Sequence, residues 1–165
     1  MKKKNSLPSW VWKRPDSLFA CGFGTGGAAF APGTFGTLIG LPFYWLMQTL
    51  ALPAYLLVTM ILFVFGVWIC DRTAKALQVH DHPGIVWDEV VGFLVTMTMA
   101  PQGWVWWLLG FLLFRFFDIF KPWPIRVLDQ RVEGGFGIMI DDVLAGVYAA
   151  VCLQLLYYSG VINLG

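Results

Sequence analysis

The stretch AYLLVTMILFVFGVWIC, residues 54–70, contains no Asp, Glu, Lys or Arg. A helix needs about 20 mainly apolar residues to cross the hydrocarbon core of a bilayer, so this stretch predicts a membrane-spanning helix. The composition agrees, since 58% of the chain is hydrophobic and 13% is charged, against about 45–50% and about 25% in a typical soluble domain. The sequence therefore predicts a membrane protein.

Four more runs also lack acidic and basic side chains: residues 37–52, 90–100, 104–114 and 143–162. The two middle runs are too short to cross a bilayer alone, because each would form only about 16 Å of helix. We extend the third run back to Ile85 and the fourth to Lys121, with Pro122 as a helix stop. The predicted fold is all-α: a polytopic helical membrane protein with about five apolar segments, some short or re-entrant, in a single domain over residues 1–165.

The charged residues are confined to residues 1–36, 71–89 and 115–142, which five crossings would place on one side of the membrane. Because Lys and Arg in short loops favour the cytoplasmic side, we expect a cytoplasmic N-terminus with an arm of residues 1–19. The net charge is only +1. The chain therefore has no overall basic field, and we expect no nucleic-acid partner.

Acidic side chains gather where predicted helices meet the cytoplasmic face: Asp88, Glu89, Asp118, Asp141 and Asp142. Unpaired charge is costly at a membrane edge, which favours a functional role, and carboxylate oxygens suit Mg²⁺ or Mn²⁺. Structural alternatives remain open. Asp141 or Asp142 could cap the last helix, Asp88-Glu89 could be an ordinary polar helix start, and Arg115 could pair with Asp118 for structure alone.

A glycine-rich loop, GFGTGGAAFAPGTFGT at residues 22–37, leads into the first run. Its hydroxyls, including Thr34 and Thr37, and its backbone N–H groups could cradle a phosphate near a helix N-terminus. Equally, it could be a close-packed glycine entry to a membrane helix. Basic donors that a phosphate would need follow later in the chain: Arg115, Lys121 and Arg126. We interpret His80 and His82 as loop histidines or supports of a neighbouring ligand, because His-x-His alone is a weak metal pattern.

Four motifs together resemble the phosphatidylglycerophosphatase A family: PGTFGT (32–37), HDHPGIVWDEVVG (80–92), FRFFDIFKPWPIRVLD (114–129) and GGFGIMIDDVLAG (134–146). The match runs in order over roughly residues 20–150. It implies an all-helical, Mg²⁺-dependent phosphatase of the bacterial inner membrane, with its active site facing the cytoplasm. Such an enzyme removes the terminal phosphate of phosphatidylglycerophosphate and leaves phosphatidylglycerol.

The resemblance also implies roles for single residues. Asp88 and Glu89 match the family's WDE acids, Asp118 and Lys121 its FDxxKP motif, and Asp141 and Asp142 its DD pair. Thr34 falls in the PGT loop, and Asp81 matches an acidic position, which makes it a further candidate metal ligand. Attack by water and an aspartyl-phosphate intermediate both remain open. The competing hypothesis is a non-enzymatic small membrane transporter or lipid-binding protein whose charges pair only for structure.

Overall fold

The computed structural model describes residues 7–79 and 82–160, and every regular element in these ranges is helical. The predicted all-α fold is confirmed. Two short 3₁₀ helices, Ser9–Lys13 and Gly22–Gly27, flank the first α-helix. The α-helices are α1 (Pro15–Ala20), α2 (Pro32–Met47), α3 (Leu52–Leu77), α4 (Trp87–Thr96), α5 (Trp104–Phe120), α6 (Ile125–Arg131) and α7 (Gly134–Tyr158).

Helices α3 and α5 run antiparallel to α2, α4 and α7, so that the charged ends of all five meet at one end of the molecule. At the other end, the Tyr55 hydroxyl donates to the Leu94 carbonyl (2.6 Å), which joins the start of α3 to α4. There too, the Gln154 amide donates to the Met99 carbonyl (2.7 Å) in the turn after α4. The starts of α2, α4 and α7 and the ends of α3 and α5 therefore share the opposite end.

Two helices are long and apolar enough to cross a membrane, α3 with 26 residues and α7 with 25. Helices α2, α4 and α5 have 16, 10 and 17 residues. At 1.5 Å per residue these are about 24, 15 and 26 Å long, less than the roughly 30 Å of a hydrocarbon core. The predicted number of about five crossing segments is thus not confirmed, and α4 is shorter than the predicted 85–100.

Helices α2 and α7 begin more than one turn before the apolar runs that predicted them. Helix α2 begins at Pro32, a residue suited to the first turn because its missing N–H has no partner there anyway. Helix α7 begins at Gly134, after Glu133 at the N-cap position. Asp141 and Asp142 consequently lie about two turns inside α7, so the alternative in which one of them caps this helix is wrong.

Glycines let α4 and α7 approach closely. A Cβ atom on Gly146 would collide with the Gly92 carbonyl oxygen, and one on Gly92 would lie 2.8 Å from the Asp142 carbonyl oxygen. Asp88 lies four residues before Gly92, and Asp142 lies four residues before Gly146. Residues four apart share a helix face, so the contact that joins the two backbones also brings the two carboxylates together.

Candidate active site

A cavity of about 210 Å³ opens at the charged end of the helices. Its lining includes six carboxylates and two cations: Asp88, Glu89, Asp118, Asp129, Asp141, Asp142, Arg115 and Lys121. The five acids predicted from the sequence are therefore brought together, although they come from three helices. Asp129 is a sixth acid that the sequence analysis did not assign to the site.

Three of these acids are close enough to share one cation. Asp88, Glu89 and Asp142 each offer an oxygen atom, and the three atoms lie within 4.8 Å of one another. Asp88 and Asp142 are 9% and 3% exposed, so water contributes little to the solvation of their charges. In the first turn of α4, Asp88 and Glu89 also complement the helix dipole. The dipole alone gives no reason for Asp142 of α7 to lie beside them.

Arg115 of α5 lies on one side of this trio. Its guanidinium is 2.6 Å from Asp118, three residues later, and 3.8 Å from Glu89. The expected Arg115–Asp118 pair is thus present. It belongs to the cavity, because Arg115 also contacts an acid of the trio and its side chain is only 15% exposed.

Lys121 lies on another side of the cavity, at the end of α5. Its ammonium is 2.7 Å from Asp129 of α6 and 2.6 Å from Asp141 of α7. The predicted helix stop is confirmed, because α5 ends at Phe120 and Lys121 adopts a left-handed backbone conformation before Pro122. The end of α5 and the left-handed conformation of Lys121 therefore fix the position from which the lysine side chain extends into the cavity.

The start of α2 forms a wall of the cavity, with Gly33 against the charged groups. A Cβ atom on Gly33 would collide with Glu89 and would lie 3.0 Å from an Arg115 nitrogen. The Thr37 hydroxyl is buried and donates to the Gly33 carbonyl (2.9 Å). It also accepts a long hydrogen bond from Arg115 (3.5 Å). The glycine-rich entry is therefore close-packed, and its threonine hydroxyl supports the wall.

Three residues predicted to bind phosphate, Thr34, Thr37 and Arg126, are absent from the cavity lining, whereas Arg115 and Lys121 belong to it. Arg126 is exposed on the short helix α6. His80 and Asp81, the further candidate ligand, lie outside the described residues. His82 accepts a hydrogen bond from the Gly84 N–H (3.0 Å), as expected of a loop histidine.

The charges of the lining do not balance. Six carboxylates face two cations, a formal excess of four negative charges. Among the described residues, buried oxygens of Glu89, Asp141 and Asp142 have no hydrogen-bond partner. Such groups are costly to bury unless a ligand satisfies them. The donor set is all oxygen, which fits a hard divalent cation such as Mg²⁺.

Gly33 and Asp129 are the two features of the site that sequence reasoning missed. The glycine stands within the quoted PGTFGT motif, but nothing in a sequence shows which neighbour will approach its backbone. Asp129 ends the quoted FRFFDIFKPWPIRVLD motif, eight residues after Lys121. Its spacing indicates no contact with the lysine, because the two prolines between them interrupt any regular helix.

Comparison with known proteins gives a consistent family match. The family model described as Phosphatidylglycerophosphatase A matches residues 18–157. The chain is 47% identical over 147 residues to the phosphatidylglycerophosphatase A of Escherichia coli (strain K12), covering 88% of this chain and 84% of the relative. It is 43% identical over 160 residues to the protein of that name from Haemophilus influenzae (strain ATCC 51907 / DSM 11121 / KW20 / Rd), covering 96% and 98%.

A third relative carries a different name. The chain is 36% identical over 154 residues to a Bacteroides thetaiotaomicron protein provisionally named a phosphatidylinositol-3-phosphatase, covering 87% of this chain and 96% of the relative. No solved structure matches the chain.

Proposed function

The chain belongs to the phosphatidylglycerophosphatase A family, and we propose that it hydrolyses phosphatidylglycerophosphate in the acidic cavity with the help of Mg²⁺. The products are phosphatidylglycerol and inorganic phosphate. Family membership carries the reaction and the lipid substrate. The trio of Asp88, Glu89 and Asp142, whose oxygens lie within 4.8 Å of one another in a lining with more acids than cations, carries the choice of site and the cation.

We assign Mg²⁺ to the trio, because Asp118 and Asp141 are already paired with basic side chains of the cavity. Asp118 is paired with Arg115, and Asp141 with Lys121, whereas the excess negative charge of the lining needs a further cation. Bound Mg²⁺ would supply charge neutralisation for the transferring phosphoryl group. In this proposal, the five acids predicted from the sequence as metal ligands are reduced to three, with Asp118 and Asp141 beside them.

The two cations of the lining contribute to phosphate binding. Arg115 offers a planar fork of N–H donors, and Lys121 offers a point charge. Each forms an ion pair in the cavity, so a phosphomonoester dianion would meet a basic side chain on two sides of the acidic trio. Hydrolysis breaks the bond between phosphorus and the glycerol oxygen. As water forms the new bond to phosphorus, an acid that binds no metal ion, Asp118 or Asp141, would take a proton from this water and pass it to the leaving glycerol oxygen.

We further propose that the protein lies in the bacterial inner membrane with its cavity facing the cytoplasm. The two candidate spans, α3 and α7, both reach the charged end of the molecule, and α7 lines the cavity. The three shorter helices would complete a multi-pass arrangement of about five segments, some of them short or re-entrant. A lipid could then keep its acyl chains in hydrocarbon while its headgroup enters the cavity.

The experiment is a phosphate-release assay on the purified protein with phosphatidylglycerophosphate in mixed micelles. We expect release with Mg²⁺, none with a chelator, and recovery when Mg²⁺ is restored. Phosphatidic acid in a parallel arm tests whether the terminal glycerol is needed. An absence of release with Mg²⁺ in several detergents would refute the proposal and favour the non-enzymatic alternative.

A further inference from the structure

The ammonium of Lys121 is held between carboxylates from two different helices. It contacts Asp129 of α6 at 2.7 Å and Asp141 of α7 at 2.6 Å, and its side chain is one-quarter exposed. An ammonium has three N–H donors. Within residues 7–79 and 82–160, these acids use two of the donors, which leaves the third for a ligand that enters the cavity.

Asp129 is anchored on a short but well-packed helix. Ile125 lies four residues earlier on α6, so the two residues share a helix face. Ile125 is fully buried in the hydrophobic core. The packing of Ile125 therefore fixes the position of Asp129 at the cavity. The Asp129 carboxylate contacts Lys121 from that fixed position.

Asp129 attracts the Lys121 ammonium from the outer side of the cavity, opposite to the more deeply buried Asp141. Asp129 is 34% exposed at its side chain, whereas Asp141 is 7% exposed. The Lys121 ammonium thus contacts a more exposed acid, Asp129, and a more buried one, Asp141. Without the outer carboxylate, the excess negative charge of the lining would draw the ammonium toward Asp141 and away from an entering phosphate.

We propose that Asp129 is a positioning residue for phosphate hydrolysis, which holds the Lys121 ammonium where it can bind the phosphate of the substrate. This inference rests on the proposed function, because it takes the phosphoryl group to lie in the acidic cavity. In this role Asp129 binds neither the substrate nor the metal ion. It acts through Lys121, and its replacement therefore matters only while the lysine is present.

The test is a double-mutant cycle on the full-length protein in mixed micelles with phosphatidylglycerophosphate and Mg²⁺. Its variants are Asp129→Asn, Lys121→Met and the two combined. We expect Asp129→Asn to lower kcat/KM by about 10- to 100-fold, since a misplacement of about 1 Å can cost that much. The combined variant should be no less active than Lys121→Met alone, because the two residues act as a unit.

Two further variants separate positioning from folding. Asp129→Glu keeps the carboxylate and should recover part of the activity that Asp129→Asn loses. Asp71→Asn is the matched control, because it removes an ion pair of similar length (2.6 Å to Lys75) from the same end of the molecule outside the cavity. We expect its kcat/KM to stay within about twofold of wild type.

The outcomes distinguish the inference from the proposed function. Full activity in Asp129→Asn, or equal losses from this change with and without Lys121, would overturn the positioning role and leave the phosphatase activity standing. A loss in Asp129→Asn that Asp129→Glu does not relieve at all would overturn it as well. A wild-type protein that releases no phosphate would instead overturn the proposed function.

Discussion

Two groups of charged residues lie at the same end of the molecule, and they are built in opposite ways. In the first, Asp16 accepts hydrogen bonds from the Arg14 guanidinium (2.7 and 3.2 Å), from Arg72 (3.0 Å) and from the Ser17 N–H (2.9 Å). One carboxylate there is matched by two cations. In the acidic cavity, six carboxylates share two cations.

The difference shows which acids are structural. Hydrogen bonds from Arg14 above all hold the pKa of Asp16 below its usual value, so Asp16 is a satisfied anion that closes a contact between α1 and α3. Asp142, although of the same residue type, is buried with an oxygen that has no hydrogen-bond partner among the described residues. The unpartnered oxygen of Asp142 therefore supports the proposal that a cation binds there, whereas Asp16 has no such oxygen to offer.

The largest effect should come from Asp142→Asn, which breaks the trio. Loss of a ligand removes the stabilisation that Mg²⁺ would give the charge of the transferring phosphoryl group. This stabilisation amounts to several kcal/mol. Phosphate release should therefore fall by about a thousandfold. The melting temperature of the metal-free protein should not fall, because the substitution relieves repulsion between buried carboxylates. Wild-type turnover in this variant would refute the carboxylate site.

Removal of the cation should affect the two groups differently. A ligand that binds only the folded protein stabilises it by about 2.7 kcal/mol at a hundredfold excess over Kd, so Mg²⁺ should raise the melting temperature of the wild type. Asp16→Asn should keep this shift, whereas Asp142→Asn should lose it. Equal shifts in both variants, measured by thermal unfolding with Mg²⁺ or chelator, would place the cation elsewhere.

An intermediate effect is expected from Gly33→Ala, at the wall of the cavity. The new methyl group would displace the Glu89 carboxylate, which is the end of a flexible side chain, together with Arg115. Activity should fall by about 10- to 100-fold while the protein remains folded. Gly27→Ala is the matched control, because a Cβ at that position of the same entry segment meets only a side-chain carbon at 3.6 Å. Equal activity in the two alanine variants would show that Glu89 need not be held in place.

The smallest effect should come from Asp16→Asn, which removes the balanced group. Arg14 and Arg72 are 38% and 53% exposed at their side chains, and exposed ion pairs contribute little to stability. We expect unchanged kcat/KM and a melting temperature lower by a few degrees at most. A large loss of activity would show that the contact between α1 and α3 also shapes the cavity.

The pH dependence of stability provides a further comparison for Asp16. Its pKa is lower in the folded protein than in the unfolded chain, so its contribution is present above the unfolded value of about 3.9. That contribution is lost as the pH falls through the lower folded value. Below about pH 4, the wild type and Asp16→Asn should therefore converge in melting temperature. A constant difference down to that range and beyond would contradict the assigned role.

Much of the site was predictable because its acids stand in short, recognisable motifs. Asp88-Glu89 and Asp141-Asp142 are adjacent pairs next to apolar runs, and an apolar run can be found by inspection. The start of α7 was less predictable. Glycines and apolar residues from Gly134 onward continue the helix through the DD pair, so the charges that seemed to end the run lie within it.

The sequence by itself determined an all-helical chain rich in apolar segments, with its acids gathered at the ends of those segments, because hydrophobicity and charge are local properties. Only the tertiary structure decided which of those acids lie beside one another and which pair with a basic side chain. The Gly92–Gly146 approach places Asp88 beside Asp142, while Asp129 reaches Lys121 from another helix. Pairing of buried charges depends on distances between helices, and those distances are set by packing across the molecule.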